Sequence, residues 1–137
     1  MDRDEESVSG ETSARITAFI TDLRRALEGA GDPARAEQQR AYLKSEMAMY
    51  GVGVPETRRL SRRTAGAHAE LWTEATTWEA ALRRLWDGAA HREERYAALA
   101  IIRSKLSTSH AGRMESLALY EHFLRTGQWW DLVDETS

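Results

Sequence analysis

Tyr96-Ala97-Ala98-Leu99-Ala100-Ile101-Ile102 is the stretch that decides the fold. Placed on a helix of about 91–105, it is apolar over too much of the circumference to lie on a surface. That helix is therefore expected at the centre of the molecule. Its neighbours read as amphipathic helices packed around it. Upstream, Trp78, Ala81, Leu82, Leu85 and Trp86 form one stripe, with Thr77 as the expected cap and Gly88 as the stop. Downstream, Met114, Leu117, Leu119, Tyr120, Phe123 and Leu124 predict a helix over about 111–126 with Gly127 beyond its end.

The same periodicity continues to both termini. Ile16, Phe19, Ile20, Leu23 and Leu27 recur at helical spacing after Ser13, and Gly29-Ala30-Gly31 closes that helix. Asp32 and Pro33 supply an N-cap and a first-turn proline for a second helix reaching about Met49. Gly51-Val52-Gly53-Val54 reads as a loop, and Pro55 opens a third helix through Leu60. The signal weakens around 66–70. A last helix is expected from about Trp129. Composition agrees: 21 of the 137 residues are Ala, whereas Val and Ile together number 8. Helix formers dominate and strand formers are scarce. The expectation is an all-α chain, either a compact bundle or stacked helix pairs.

Composition also excludes several function classes. There is no Cys, hence no disulfide framework, thiol catalysis or thiolate metal site. His68, His91, His110 and His122 show no metal-ligand spacing, and no phosphate-binding glycine motif follows a strand. No apolar run approaches membrane-spanning length. Neither a metal nor a cofactor is expected. The first ten residues carry a net charge of −3, equal to that of the whole chain, so the body is neutral. Residues 1–12 are expected to form an acidic, disordered tail ahead of a helical domain over 13–137. A cytoplasmic location is expected.

Charge within the body is uneven. Arg58, Arg59, Arg62 and Arg63 lie at i, i+1, i+4 and i+5, one basic strip on the third helix. The strip suits phosphate binding, or equally a solvated face paired with Glu56 and other acids. Trp130 and Asp134 lie at i and i+4, which stacks an indole and a carboxylate on one helix face. That spacing fits a groove lining, and it fits a core tryptophan beside a solvated acid. The Trp78/Trp86 stripe reads as packing, and so does Tyr96.

The stretch Gly127-Gln128-Trp129-Trp130-Asp131-Leu132-Val133-Asp134 resembles the WWD-x-VD signature of the AlkD-like DNA alkylation repair glycosylases. Two upstream segments agree in order. Ala41-Tyr42-Leu43-Lys44 with Gly51 to Leu60 is similar to that family's AYMK…G-x-x-x-P-x-R-x-L region. Glu94-Arg95-Tyr96-Ala97 is similar to its E-x-Y-x-A helix. The resemblance implies an α-solenoid of HEAT-like antiparallel helix pairs, about three repeats with the last incomplete. It also implies a basic surface for duplex DNA and excision of cationic N3- or N7-alkylated purines. Under it, Asp134 falls on the catalytic carboxylate and Trp130 on an aromatic against the lesion deoxyribose. Tyr42 falls on an active-site tyrosine, while Lys44, Arg58, Arg59, Arg62 and Arg63 are candidates for DNA contact. The family's chains continue with further helix pairs. The chain is thus expected to be the N-terminal part of a longer glycosylase fold, as a fragment, a truncated reading frame or a domain completed by self-association, with a non-catalytic scaffold that binds DNA or protein as the alternative.

Overall fold

The computed structural model describes residues 9–43 and 47–127. These residues are all-α, with no strand among them, in an arrangement consistent with a helical-repeat solenoid. Seven α-helices are described: α1 Gly10–Ala30, α2 Pro33–Leu43, α3 Val54–Ala67, α4 Ala75–Asp87, α5 Arg92–Ile102, the single turn α6 Thr108–Ala111, and α7 Leu117–Thr126. Three 3₁₀ turns join them at Ala69–Trp72, Lys105–Ser107 and Met114–Ser116.

Helix α5 is the hub the sequence predicts. From Tyr96 to Ile101 every residue is buried, and Ala97, Ala98 and Ile101 have no exposed surface. The small Ala residues let α3 pack closely along one flank of α5, while α4 packs on another. Helix α1 lies across α3 and α4, and α7 docks on α4. Removing a side chain such as Leu99 or Ile101 from water contributes about 1.5–3 kcal/mol. The buried indoles keep their N–H groups satisfied. Trp72 donates to the Ala65 carbonyl at 2.8 Å, Trp78 to Ser107 Oγ at 2.8 Å and Trp86 to Thr126 Oγ1 at 2.7 Å. The Trp78/Trp86 stripe and Tyr96 are therefore core, as expected.

Several boundaries differ from the sequence reading. Helix α1 starts at Gly10, capped by Ser9 rather than Ser13, so residues 10–12 are helical. The Ser9 hydroxyl accepts the Thr12 N–H at 3.1 Å, which gives an orphan first-turn donor its partner one turn earlier. Helix α4 starts at Ala75 after Glu74, not at Thr77. The helix expected over 111–126 is shorter. Ser107 and Ser116, both buried, bond back to the carbonyls of Ile101 and His110, and these side-chain bonds break the chain into turns before Leu117. Its expected core residues Met114, Leu117 and Leu124 are exposed, while Leu119 and Phe123 are buried.

Helix α2 begins as predicted. The Asp32 Oδ1 accepts the Ala34 N–H at 3.0 Å. Yet α2 buries no residue. Its polar composition leaves no apolar stripe to bring it down onto the core.

Candidate functional site

The loop between α2 and α3 is held by the start of α5. Glu93, fully buried, accepts the backbone N–H groups of Tyr50 at 3.0 Å, Gly51 at 2.9 Å and Val52 at 3.1 Å. The Arg92 N–H donates to the Ala48 carbonyl at 2.9 Å. A carboxylate that accepts three amides is a strong anchor in a water-poor setting. Gly51 makes the turn possible. Its φ is +88°, and a Cβ there would lie 2.0 Å from the Asp32 carbonyl oxygen.

Glu94, next along, binds on the other side of the loop. It accepts Arg24 Nε at 2.8 Å, the Tyr50 hydroxyl at 3.2 Å and the His91 N–H at 3.1 Å. The Tyr50 ring stacks on His91 with centroids 3.7 Å apart. Burial, together with the Glu94 carboxylate, holds the Tyr50 phenol well above its ordinary pKa. The two upstream motifs of the sequence reading are therefore one physical unit. The glycine loop is the object gripped, and the acidic start of the E-x-Y helix is the grip.

The predicted DNA-contact residues fall as follows. Tyr42 stands at the end of α2 with 86% of its surface exposed, so it is not core. On α3, Thr57, Leu60, Ser61 and Ala65 face inward, and the arginines face outward. Arg59 Nε pairs with Glu56 at 2.5 Å, and Arg58 is half-buried. Arg62 and Arg63 are exposed, with no ion pair among the described residues. On this strip Arg59 is thus paired with Glu56, and Arg62 and Arg63 are open to solvent. Lys44, Trp130 and Asp134 lie outside the described residues.

What is described is the point from which the Trp130/Asp134 segment departs. The Gly127 N–H closes α7 on the Phe123 carbonyl at 2.8 Å. Gly127 itself lies against the Trp86 ring. Elsewhere, a groove of about 1030 Å³ runs between α1 and α4. Two of its arginines tie helices together, Arg84 bonding Ser13 and Thr17 on α1 and Arg24 bonding Glu94, while Arg83 pairs with Glu79 on its own helix. Among the described residues, no three acidic or imidazole groups gather as metal ligands would, and no helix is long and apolar enough to cross a membrane.

The sequence reading passed over Glu93, and over Arg92 and Arg95, whose side chains donate to the Tyr96 hydroxyl at 2.9 Å and the Thr126 carbonyl at 3.0 Å. A signal was present. Four consecutive charges, Arg92-Glu93-Glu94-Arg95, open a helix that must be buried, and buried charges require partners.

The described residues form an all-α array, consistent with a helical-repeat protein, that carries exposed arginines on α3 and an exposed tyrosine at the end of α2. A family model, that of the DNA alkylation repair enzymes, matches residues 23–137. The match covers most of the chain, and the protein belongs to this family. No curated relative matches it. Membership supports a role in DNA repair and makes DNA the implied partner.

Proposed function

We propose that the protein is a DNA glycosylase that excises cationic N3- or N7-alkylated purines from duplex DNA by hydrolysis. The observation that carries this is the family match running through the Trp129-Trp130-Asp131-Leu132-Val133-Asp134 motif. An alkylated purine is positively charged and already a good leaving group. As its N-glycosidic bond breaks, the bonding pair goes to the base, which leaves neutral, and the sugar becomes an oxocarbenium ion. Water adds to the sugar carbon and releases a proton.

Asp134 supplies the negative charge that stabilises this cation and orients the water. A charge pair about 4 Å apart at an effective dielectric near 20 contributes about 4 kcal/mol, roughly three decades in rate. Trp130 lies against the deoxyribose and adds about 0.5–2 kcal/mol of cation–π attraction. Arg62 and Arg63, with Arg58, Arg59 and Lys44, take phosphates, and Tyr42 stands at the lesion.

The test is release of 7-methylguanine from alkylated duplex DNA by the wild-type protein and by Asp134→Asn. The asparagine variant is expected to bind DNA but to lose release by about three decades. Equal release by the two proteins would remove Asp134 from its role. Salt-sensitive binding without release by either protein would make the chain a non-catalytic DNA scaffold.

A further inference from the structure

Helices α2 and α5 have 11 residues each and opposite surroundings. Helix α5 buries nine of its residues, whereas α2 buries none. No other described helix packs extensively along α2. An isolated helix shorter than about 12–15 residues is marginal in water, and most helices in proteins are held by the packing of an apolar face. That support is missing from α2. Gln39 Oε1 is also buried with no hydrogen-bond partner among the described residues, which opposes close docking of the helix.

The root of α2, by contrast, is fixed. Asp32 Oδ1 accepts the N–H groups of Ala34 at 3.0 Å and Arg35 at 3.4 Å, and the Asp32 N–H donates to the Gly51 carbonyl at 3.2 Å. Gly51 is in turn held by Glu93. At the far end Tyr42 stands in solvent. Between them Arg35 and Arg40 are exposed and outnumber the one acid, Glu37, so α2 carries a net charge of +1.

We propose that α2 is a fold-on-binding arm for duplex DNA: rooted at Asp32, it opens and closes as a helix in the free protein, and contact of Arg35, Arg40 and Tyr42 with the duplex consolidates it. This rests on the DNA-binding part of the reading above, not on base excision. The occupant is DNA on two grounds. Helix α2 lies within the residues that match a DNA repair family, and its exposed cations complement phosphates. A segment that orders on binding subtracts its ordering entropy from the affinity. The apparent dissociation constant scales inversely with the fraction of α2 that is helical beforehand. Helix propensity at an exposed α2 position therefore tunes DNA affinity without touching the core.

The test uses the full chain as wild type, Gln38→Gly and Gln38→Ala, with undamaged duplex DNA as the probe. Gln38 is exposed, so neither substitution removes a core contact. Three quantities are measured: amide hydrogen exchange of residues 37–43 with and without duplex, affinity, and melting temperature. In the free protein these amides are expected to be protected no more than about tenfold, far less than those of α5, and duplex is expected to raise their protection at least about tenfold. Gln38→Gly is expected to weaken affinity about threefold and Gln38→Ala to strengthen it up to about twofold, both at an unchanged melting temperature. Protection of 37–43 equal to that of α5 in the free protein would overturn the proposal. So would exchange there that duplex leaves unchanged, or a lower melting temperature in Gln38→Gly with affinity kept. Consolidation of α2 by duplex, with no release of 7-methylguanine from alkylated DNA, would leave the arm standing and overturn the glycosylase reading. Release with an α2 that does not respond to DNA would overturn the arm alone.

Discussion

The Glu93 carboxylate reaches back 42 residues to accept the Gly51 N–H at 2.9 Å, inside the core. With the N–H groups of Tyr50 and Val52 on the same carboxylate, this one side chain fixes the loop between α2 and α3. It thereby fixes where the arginine-bearing helix α3 starts.

Replacing Glu93 should therefore act on stability. Glu93→Ala leaves buried backbone donors without an acceptor and is expected to cost about 3–5 kcal/mol in urea or thermal unfolding. Glu93→Gln keeps one good acceptor but points an amide N–H₂ at a backbone N–H. Its loss should be intermediate. A Glu93→Ala protein as stable as wild type would refute the anchor.

Two glycine substitutions should have opposite signs. Gly51→Ala puts a Cβ on the Asp32 carbonyl at a positive φ, and the loop must move. A loss of several kcal/mol is expected, beyond the roughly 1–2 kcal/mol of a left-handed residue alone. Gly66→Ala, near the end of α3, meets nothing within 4 Å. It is expected to stabilise by about 0.5–1 kcal/mol through helix propensity. Thermal melts of the two variants compare them directly.

Alkaline pH should expose the Tyr50 contact. The phenol titrates near about pH 10 in an unfolded chain. In the fold its pKa is raised by burial first and by Glu94 second. A raised folded pKa contributes stability that is complete below the unfolded pKa and is lost as pH rises through the folded one. Unfolding free energy should therefore fall above about pH 10. In Tyr50→Phe that fall should be shallower. Identical slopes in the two proteins would show that the phenol is not coupled to folding.

On α3 the two classes of arginine should separate in DNA binding. Arg62→Ala and Arg63→Ala remove exposed cations and should each lower the slope of log affinity against log salt by about 1. Arg59 is occupied by Glu56, so Arg59→Ala should change the slope less. Glu56→Gln should raise affinity by freeing Arg59. Melting temperatures should barely move, because these side chains stand outside the core. Equal slopes in all four variants would place the DNA elsewhere.

The helices were legible because their signal is local. The spacing of Ile16, Phe19, Ile20, Leu23 and Leu27 repeats every turn, and all five are buried in α1. The crowding of apolar residues from Tyr96 to Ile101 marked α5 as central. Local signals failed where a distant or competing partner was involved. The serines at 107 and 116 bond backward and shorten α7. Tyr42 stands in solvent because its helix has no apolar stripe to bring it onto the core.

By itself, then, the sequence determined helix type, the central position of α5 and the motifs that mark the family. Each is written in short-range periodicity or in a contiguous stretch of residues. Tertiary structure alone decided which charges are spent and which are open. Glu93 and Glu94 are the same residue type side by side on one chain. One grips three amides of the glycine loop, and the other ties α1, that loop and the start of α5 together. Arg59 and Arg62 share a helix, yet only Arg59 has Glu56 as its partner. Burial and pairing depend on what folds against a side chain, often from 40 or more residues away, and no pattern along one segment carries that information.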